Sequence, residues 1–105
     1  MKKILGLISF LMLSTLILQA QNITQTIRGT VVDQESKFPL IGVTVILNDT
    51  EEITGTTTDI DGKFRLEDIP VGRQSLTFSY LGYEEVTMSD LVLTSGKELI
   101  LEVDM

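Results

Sequence analysis

The sequence has no histidine, no cysteine and no tryptophan. Without His or Cys, zinc centres of the usual ligand types are excluded. Ser-His-Asp and Cys-His nucleophile arrangements are excluded with them. The groups that do acid–base work near neutral pH are missing. Lys63 and Lys97 could act as bases only if buried, and both alternate outward in their segments. We therefore read the chain as non-catalytic, with no catalytic residue, no cofactor and no resident metal. Disulfides are also ruled out, so the core must hold by burial alone or be supported by a neighbouring domain. Basic residues are scarce, 8 against 15 acidic ones for a net charge of −7. That balance opposes nucleic acid and anionic lipid surfaces as partners. With 105 residues there is material for one small domain.

Met1-Lys2-Lys3 is a basic start, and Ile4 to Leu18 is an apolar run broken only by Gly6, Ser9, Ser14 and Thr15. Leu18-Gln19-Ala20 places small or apolar residues before Gln21. This is the three-part pattern of a secretory signal peptide, residues 1–20, which leaves a domain over residues 21–105. The run is shorter than the roughly 20 residues that span a bilayer, so a cleaved signal is expected rather than an anchor, with no membrane insertion afterwards. No Cys follows it to accept a lipid. Losing Lys2 and Lys3 leaves six basic residues against fifteen acidic ones, a net charge of −9.

Beyond a polar leader, Asn22 to Gln25, the chain reads as short extended segments. Ile27 to Asp33 is the first, with Ile27 and Val31 on one face and Arg28 and Thr30 on the other. Gly29 inside it predicts a bulge or another backbone lying close. After a polar connection, Gln34 to Pro39, Gly42 to Asn48 turns Val43, Val45 and Leu47 to the core. An acidic loop, Asn48 to Glu52, leads into Thr54 to Thr58. There Asp61-Gly62 predicts a hairpin that makes the flanking segments one antiparallel pair, with Phe64 and Leu66 inward and Lys63 and Arg65 outward. Asp68 to Gly72 reads as a turn with Pro70 at its second position. Arg73 to Tyr80 alternates most cleanly, with Leu76, Phe78 and Tyr80 on one face. Tyr83 to Met88 turns Val86 and Met88 inward, and Leu91-Val92-Leu93 leads to Ser95-Gly96. Lys97 to Met105 closes with Leu99, Leu101 and Val103 facing in. No window after Gln21 carries a 3.6-residue apolar repeat. The expected fold is all-β, about seven short strands in two antiparallel sheets packed face to face.

A few positions carry binding chemistry. Asp59-Ile60-Asp61-Gly62 resembles the start of a calcium loop, but Lys63 and Phe64 follow where further oxygen ligands are needed, so a turn is the favoured reading over weak calcium binding. Tyr80 and Tyr83 flank Leu81-Gly82 at a strand end, where tyrosines can stack on sugars or peptides; the plainer reading has Tyr80 continuing the core row and Tyr83 covering the sandwich edge. The Thr54 to Thr58 segment could be an edge strand open to strand addition by a partner. Asn22-Ile23-Thr24 and Asn48-Asp49-Thr50 fit the N-glycosylation pattern, which short triplets match by chance.

Several motifs occur in a fixed order: Ile27-x-Gly29-x-Val31-x-Asp33, Pro39-Leu40-Ile41-Gly42-Val43-x-Val45, Gly55-Thr56-Thr57-Thr58-Asp59-x-Asp61-Gly62-Lys63-Phe64, Ile69-Pro70-x-Gly72 and Phe78-Ser79-Tyr80-Leu81-Gly82-Tyr83. Together they resemble the carboxypeptidase regulatory-like (carboxypeptidase D regulatory-like) domain over nearly all of residues 21–105. The resemblance implies a transthyretin-like, prealbumin-like β-sandwich of seven strands in a Greek key. Such domains commonly follow the signal peptide of exported Gram-negative proteins, and Phe78 to Tyr83 is especially similar to the version preceding the plug of TonB-dependent outer-membrane receptors. By implication the chain lies in the periplasm or at the outer membrane as an accessory or interaction module, with an envelope or receptor protein as partner. Since receptor relatives continue beyond Met105 into a plug, it is read as either a truncated receptor or a stand-alone module. A carbohydrate- or peptide-binding module using Tyr80, Tyr83, Asp59 and Asp61 is the alternative. No catalytic residue carries over: the family's zinc peptidase chemistry lies in a separate domain, and transthyretin-like hydrolases depend on histidines that this chain lacks.

The facing assignment makes a stability prediction. Phe78→Ala should cost about 3–5 kcal/mol and Thr77→Ala little, as read by chemical denaturation, and equal costs would show the facing to be wrong.

Overall fold

The computed structural model describes residues 23–105, so the expected signal peptide, residues 1–20, lies outside the described residues with Gln21 and Asn22. Seven strands follow in order: β1 (Thr24–Val32), β2 (Thr44–Leu47), β3 (Thr54–Thr57), β4 (Lys63–Pro70), β5 (Gly72–Ser79), β6 (Val86–Leu93) and β7 (Leu99–Asp104). They form one sheet in the order β4-β1-β7 and a second in the order β3-β2-β5-β6. Among the described residues there is no helix, and so none long and apolar enough to cross a membrane.

Period-2 alternation makes the core. Ile27, Val31, Phe64, Leu66, Ile69, Leu101 and Val103 face inward from one sheet, and Val43, Val45, Leu47, Leu76, Phe78 and Leu93 from the other, all buried. Phe64 and Phe78 meet across the layers edge to face, ring centroids 5.4 Å apart. Thr58 is the one buried polar residue among those described. Its hydroxyl accepts from the Val43 amide at 2.9 Å and donates to the Leu40 carbonyl, so it enters the core without an unmet hydrogen bond.

Gly29 lies in the middle of β1, between Phe64 of β4 and Leu101 of β7. A Cβ there would run into the Leu101 carbonyl oxygen and come to 3.0 Å from the Phe64 ring. The close backbone approach expected from the sequence is therefore present.

The expected hairpin is not. β3 pairs with β2 (Thr56 with Val45) and β4 pairs with β1 (Phe64 with Gly29), so the Asp59–Gly62 turn carries the chain from one sheet to the other. The turn is tight: the Gly62 amide donates to the Asp59 carbonyl and the Asp59 amide to the Lys63 carbonyl, both at 2.9 Å. Beyond it β4 is taken up by the nine-residue β1, a longer ladder than the four-residue β3 offers. The same happens at the next corner. Instead of a turn over residues 68–72, β4 runs to Pro70 and the chain changes sheets at Val71, with Gly72 at φ 119°.

Three further expectations are corrected. β1 and β7 run parallel, because β7 returns from the other sheet to the free side of β1. The leader is partly strand: Thr24 and Gln25 extend β1, and the Gln25 side-chain amide holds the Thr94 and Ser95 carbonyls. Leu91 to Leu93 belongs to β6, joined to its first half through a bulge where Asp90 takes φ 56°.

Thr77 does face outward, but it is not idle. Its hydroxyl and the Asn48 side-chain amide exchange hydrogen bonds of 2.9 and 3.1 Å, and Asn48 also donates to Ser75 Oγ. Thr77→Ala should thus cost about 1 kcal/mol rather than nothing. Gly29→Ala should destabilise by about 1–3 kcal/mol by forcing β1 from β7, whereas Gly96→Ala, with open space around it, should stay within about 0.5 kcal/mol. Denaturant midpoints of the three variants check this.

Candidate functional site

Strand register gathers one set of loops at one end of the sandwich. Thr44 of β2 lies beside Thr57 of β3 and Ser79 of β5, Phe78 beside Val86 of β6, Val32 of β1 beside Asp104 of β7, and Thr30 beside Lys63 of β4. Residues 33–43, 58–62 and 80–85 connect these ends. Tyr80, Tyr83, Asp59 and Asp61, separate in sequence, therefore share one pole of the molecule.

Asp33 anchors its first loop. One carboxylate oxygen accepts the Glu35 and Ser36 amides at 2.9 and 2.8 Å, and the other accepts the Tyr83 hydroxyl at 2.6 Å. The Ser36 amide, then the Tyr83 hydroxyl, hold its carboxyl down at about 2. The same bond to Asp33 pushes the Tyr83 phenol up. The Tyr80 and Tyr83 rings lie 5.5 Å apart, tilted by 32°, across a turn in which Gly82 takes φ 87° and the Tyr83 amide donates to the Tyr80 carbonyl. Tyr80 is half-buried against the core, as the core-row reading expects, and Tyr83 is half-buried with its hydroxyl tied down.

Asp59 acts as the cap of its turn. One of its carboxylate oxygens accepts the Asp61 and Lys63 amides, each at 2.9 Å. Among the described residues no group of three acidic side chains converges as a cation cage would require. The second loop is tied to the first, since the Gly42 amide donates to the Thr58 carbonyl.

Sequence reasoning passed over the apolar side chains of this pole. Phe38, Ile41, Ile60 and Leu81 are all exposed, Leu81 at 96%. The signal for them was an apolar residue inside a turn, where the strand alternation stops: Ile60 between Asp59 and Asp61, and Leu81 before Gly82. Beside Leu81 an open cavity of about 480 Å³ is lined by Tyr80, Tyr83, Ser79, Thr44 and Glu85. Asn48, at the opposite pole, uses its amide within the fold; Lys63 and Lys97 are exposed, as expected.

The model of the carboxypeptidase regulatory-like domain matches residues 26–105. The chain belongs to that family. Among curated proteins none matches it. Solved structures share its fold at low identity. A chain of a type II cohesin–X-dockerin complex from Acetivibrio cellulolyticus is 22% identical with a TM-score of 0.60, over 72% of this chain and 51% of that one, so this chain spans about half its length. The dioxygenase domain of a dioxygenase–carbohydrate-binding fusion from Streptomyces sp. SirexAA-E is 16% identical, TM-score 0.63, over 81% and 80%. Klebsiella pneumoniae 5-hydroxyisourate hydrolase is 22% identical, TM-score 0.58, over 74% and 86%. Binding modules and enzymes thus share this transthyretin-like sandwich, and fold alone does not choose between them.

The Asp33 network yields a pH prediction. A carboxyl held below its unfolded value of about 3.9 stabilises the fold above that pH, and this is lost as pH falls towards about 2. Tyr83→Phe should raise the Asp33 value but leave it below the ordinary range, because the Ser36 and Glu35 amides remain. Carboxyl titration by NMR in both proteins reads this, and an unchanged value would remove Tyr83 from the network.

Proposed function

We propose that this regulatory-like domain is a non-catalytic binding module of the bacterial cell envelope, exported behind residues 1–20. Its partner in this reading is a protein of a TonB-dependent outer-membrane receptor system, held through the loop pole. The observation that carries it is the set of exposed apolar side chains, Phe38, Ile41, Ile60 and Leu81, on loops that hydrogen bonds hold in place. A single exposed Leu needs no explanation, but four at one end of an acidic domain favour a protein contact. The resemblance of Phe78 to Tyr83 to the segment before receptor plugs supports the receptor setting. The lack of His and Cys supports a binding role over a catalytic one.

A second reading rests on the cavity beside Tyr80 and Tyr83, where an aromatic pair with Glu85 and Ser79 suits a glycan or peptide.

The test is capture of outer-membrane proteins by the purified domain, compared with a variant combining Phe38→Ser, Ile41→Ser, Ile60→Ser and Leu81→Ser. Retention of a receptor protein by the native domain and its loss in the variant is the expected result. No captured protein, or equal capture by both, would overturn the pole as the contact. Capture that survives the serines but is displaced by envelope oligosaccharides would transfer the function to the tyrosine cavity.

A further inference from the structure

Among the described residues four strands have an open edge: β4 and β7 in one sheet, β3 and β6 in the other. Exposed edges invite pairing by other chains, and proteins blunt them with charge, proline or bulges. β4 carries Lys63, Arg65, Glu67, Asp68 and Pro70, with a bulge opposite Thr26. β6 is broken by the bulge at Asp90, and β7 carries Glu102 and Asp104. β3, Thr54-Gly55-Thr56-Thr57, has none of these devices. The Thr58 amide donates inward to the Val43 carbonyl. Strand alternation then points the backbone groups of Thr54 and Thr56 towards β2 and those of Gly55 and Thr57 away from it. Gly55 and Thr57 are both exposed.

A cavity of about 470 Å³ runs alongside, lined by Thr56 and Thr57 together with Arg28, Lys63, Arg65 and Asp59. Three of the six basic residues after Gln21 thus gather on one flank of a domain with fifteen acidic ones. Arg28 and Arg65 share Glu98, and Arg65 also meets Glu67, while Lys63 has no ion pair among the described residues. The Asp59 oxygen that caps the turn is already taken by two amides, which lessens its opposition to an anion.

We propose that β3 is a strand-addition site for an extended acidic segment of a partner protein, whose backbone pairs with Gly55 and Thr57 and whose carboxylates lie against Lys63, Arg65 and Arg28. The proposal rests on the reading of the chain as a protein-binding module, and it adds a second contact, distinct from the loop pole. Main-chain bonds supply the affinity and the basic flank supplies the choice of charge.

The test uses two capped ten-residue peptides, one alternating valine and glutamate and one alternating valine and lysine, titrated calorimetrically into the domain purified after export. The glutamate peptide should bind at least about tenfold more tightly than the lysine peptide, with slowed amide exchange at Gly55 and Thr57. Thr57→Pro removes an outward amide without touching the bonds to β2, so it should abolish binding in a domain that still folds. Lys63→Glu with Arg65→Glu, which leaves β3 unaltered, should reverse the peptide preference. Absent binding, equal binding of both peptides, unprotected Gly55 and Thr57, or an unreversed preference in the double variant would each overturn the site. The variant combining Phe38→Ser, Ile41→Ser, Ile60→Ser and Leu81→Ser should bind the peptide normally, so a domain that captures a receptor but no peptide loses this inference alone.

Discussion

β1 is hydrogen-bonded on both sides by strands that arrive from far along the chain, β4 on one flank and β7, in parallel, on the other. At Gly29 the Leu101 backbone and the Phe64 ring stand so close that no side chain fits. This narrow seam sets the register of the whole three-stranded sheet, because a shift of one residue would turn Ile27 and Val31 out of the core. The opposite sheet covers the apolar face, and Phe78 meets Phe64 across the gap. With no disulfide available, this packing and its ladders hold the domain together.

The chain changes sheets at Asp59–Gly62 and again at Val71. These corners decide what the surface offers. The first leaves β3 and β4 at the same side of the sandwich as edges of different sheets, with a basic groove beside them. It also brings Ile60 to the pole where Phe38, Ile41 and Leu81 project. Both proposed contacts follow from one tight turn capped by Asp59. Rigid loops on a rigid scaffold suit recognition, since little order has to be gained on binding.

The scaffold is shared by a chain of a cohesin–X-dockerin complex, a dioxygenase domain and a hydrolase, so what a given chain does lies in its side chains rather than in the fold. In this chain the loop pole holds tyrosines, carboxylates and apolar tips, with no histidine or cysteine. The Asp33–Tyr83 bond ties two loops 50 residues apart and, after the Ser36 amide, helps hold the carboxyl below its ordinary range.

Alternation alone gave the inward residues Ile27, Val31, Val43, Val45, Leu47, Phe64, Leu66, Leu76, Phe78, Leu101 and Val103, because a half-buried strand must repeat every two residues whatever its neighbours are; Ile69 and Leu93, each beyond a bulge, were not legible. The close approach at Gly29 was legible for a similar reason: a glycine inside a strand has few other uses. Pairing was not legible. Asp61-Gly62 makes the same local turn in a hairpin and in a corner between sheets, and only the competition of β1 for Lys63 to Leu66 selects the corner. The same holds for the site. Tyr80, Tyr83, Asp59 and Asp61 were identifiable one by one, and Thr54 to Thr58 as a candidate edge strand, whereas the meeting of the four at one pole, and the basic flank beside β3, depend on which strand lies beside which. That is a property of long-range hydrogen bonding, which local sequence does not encode.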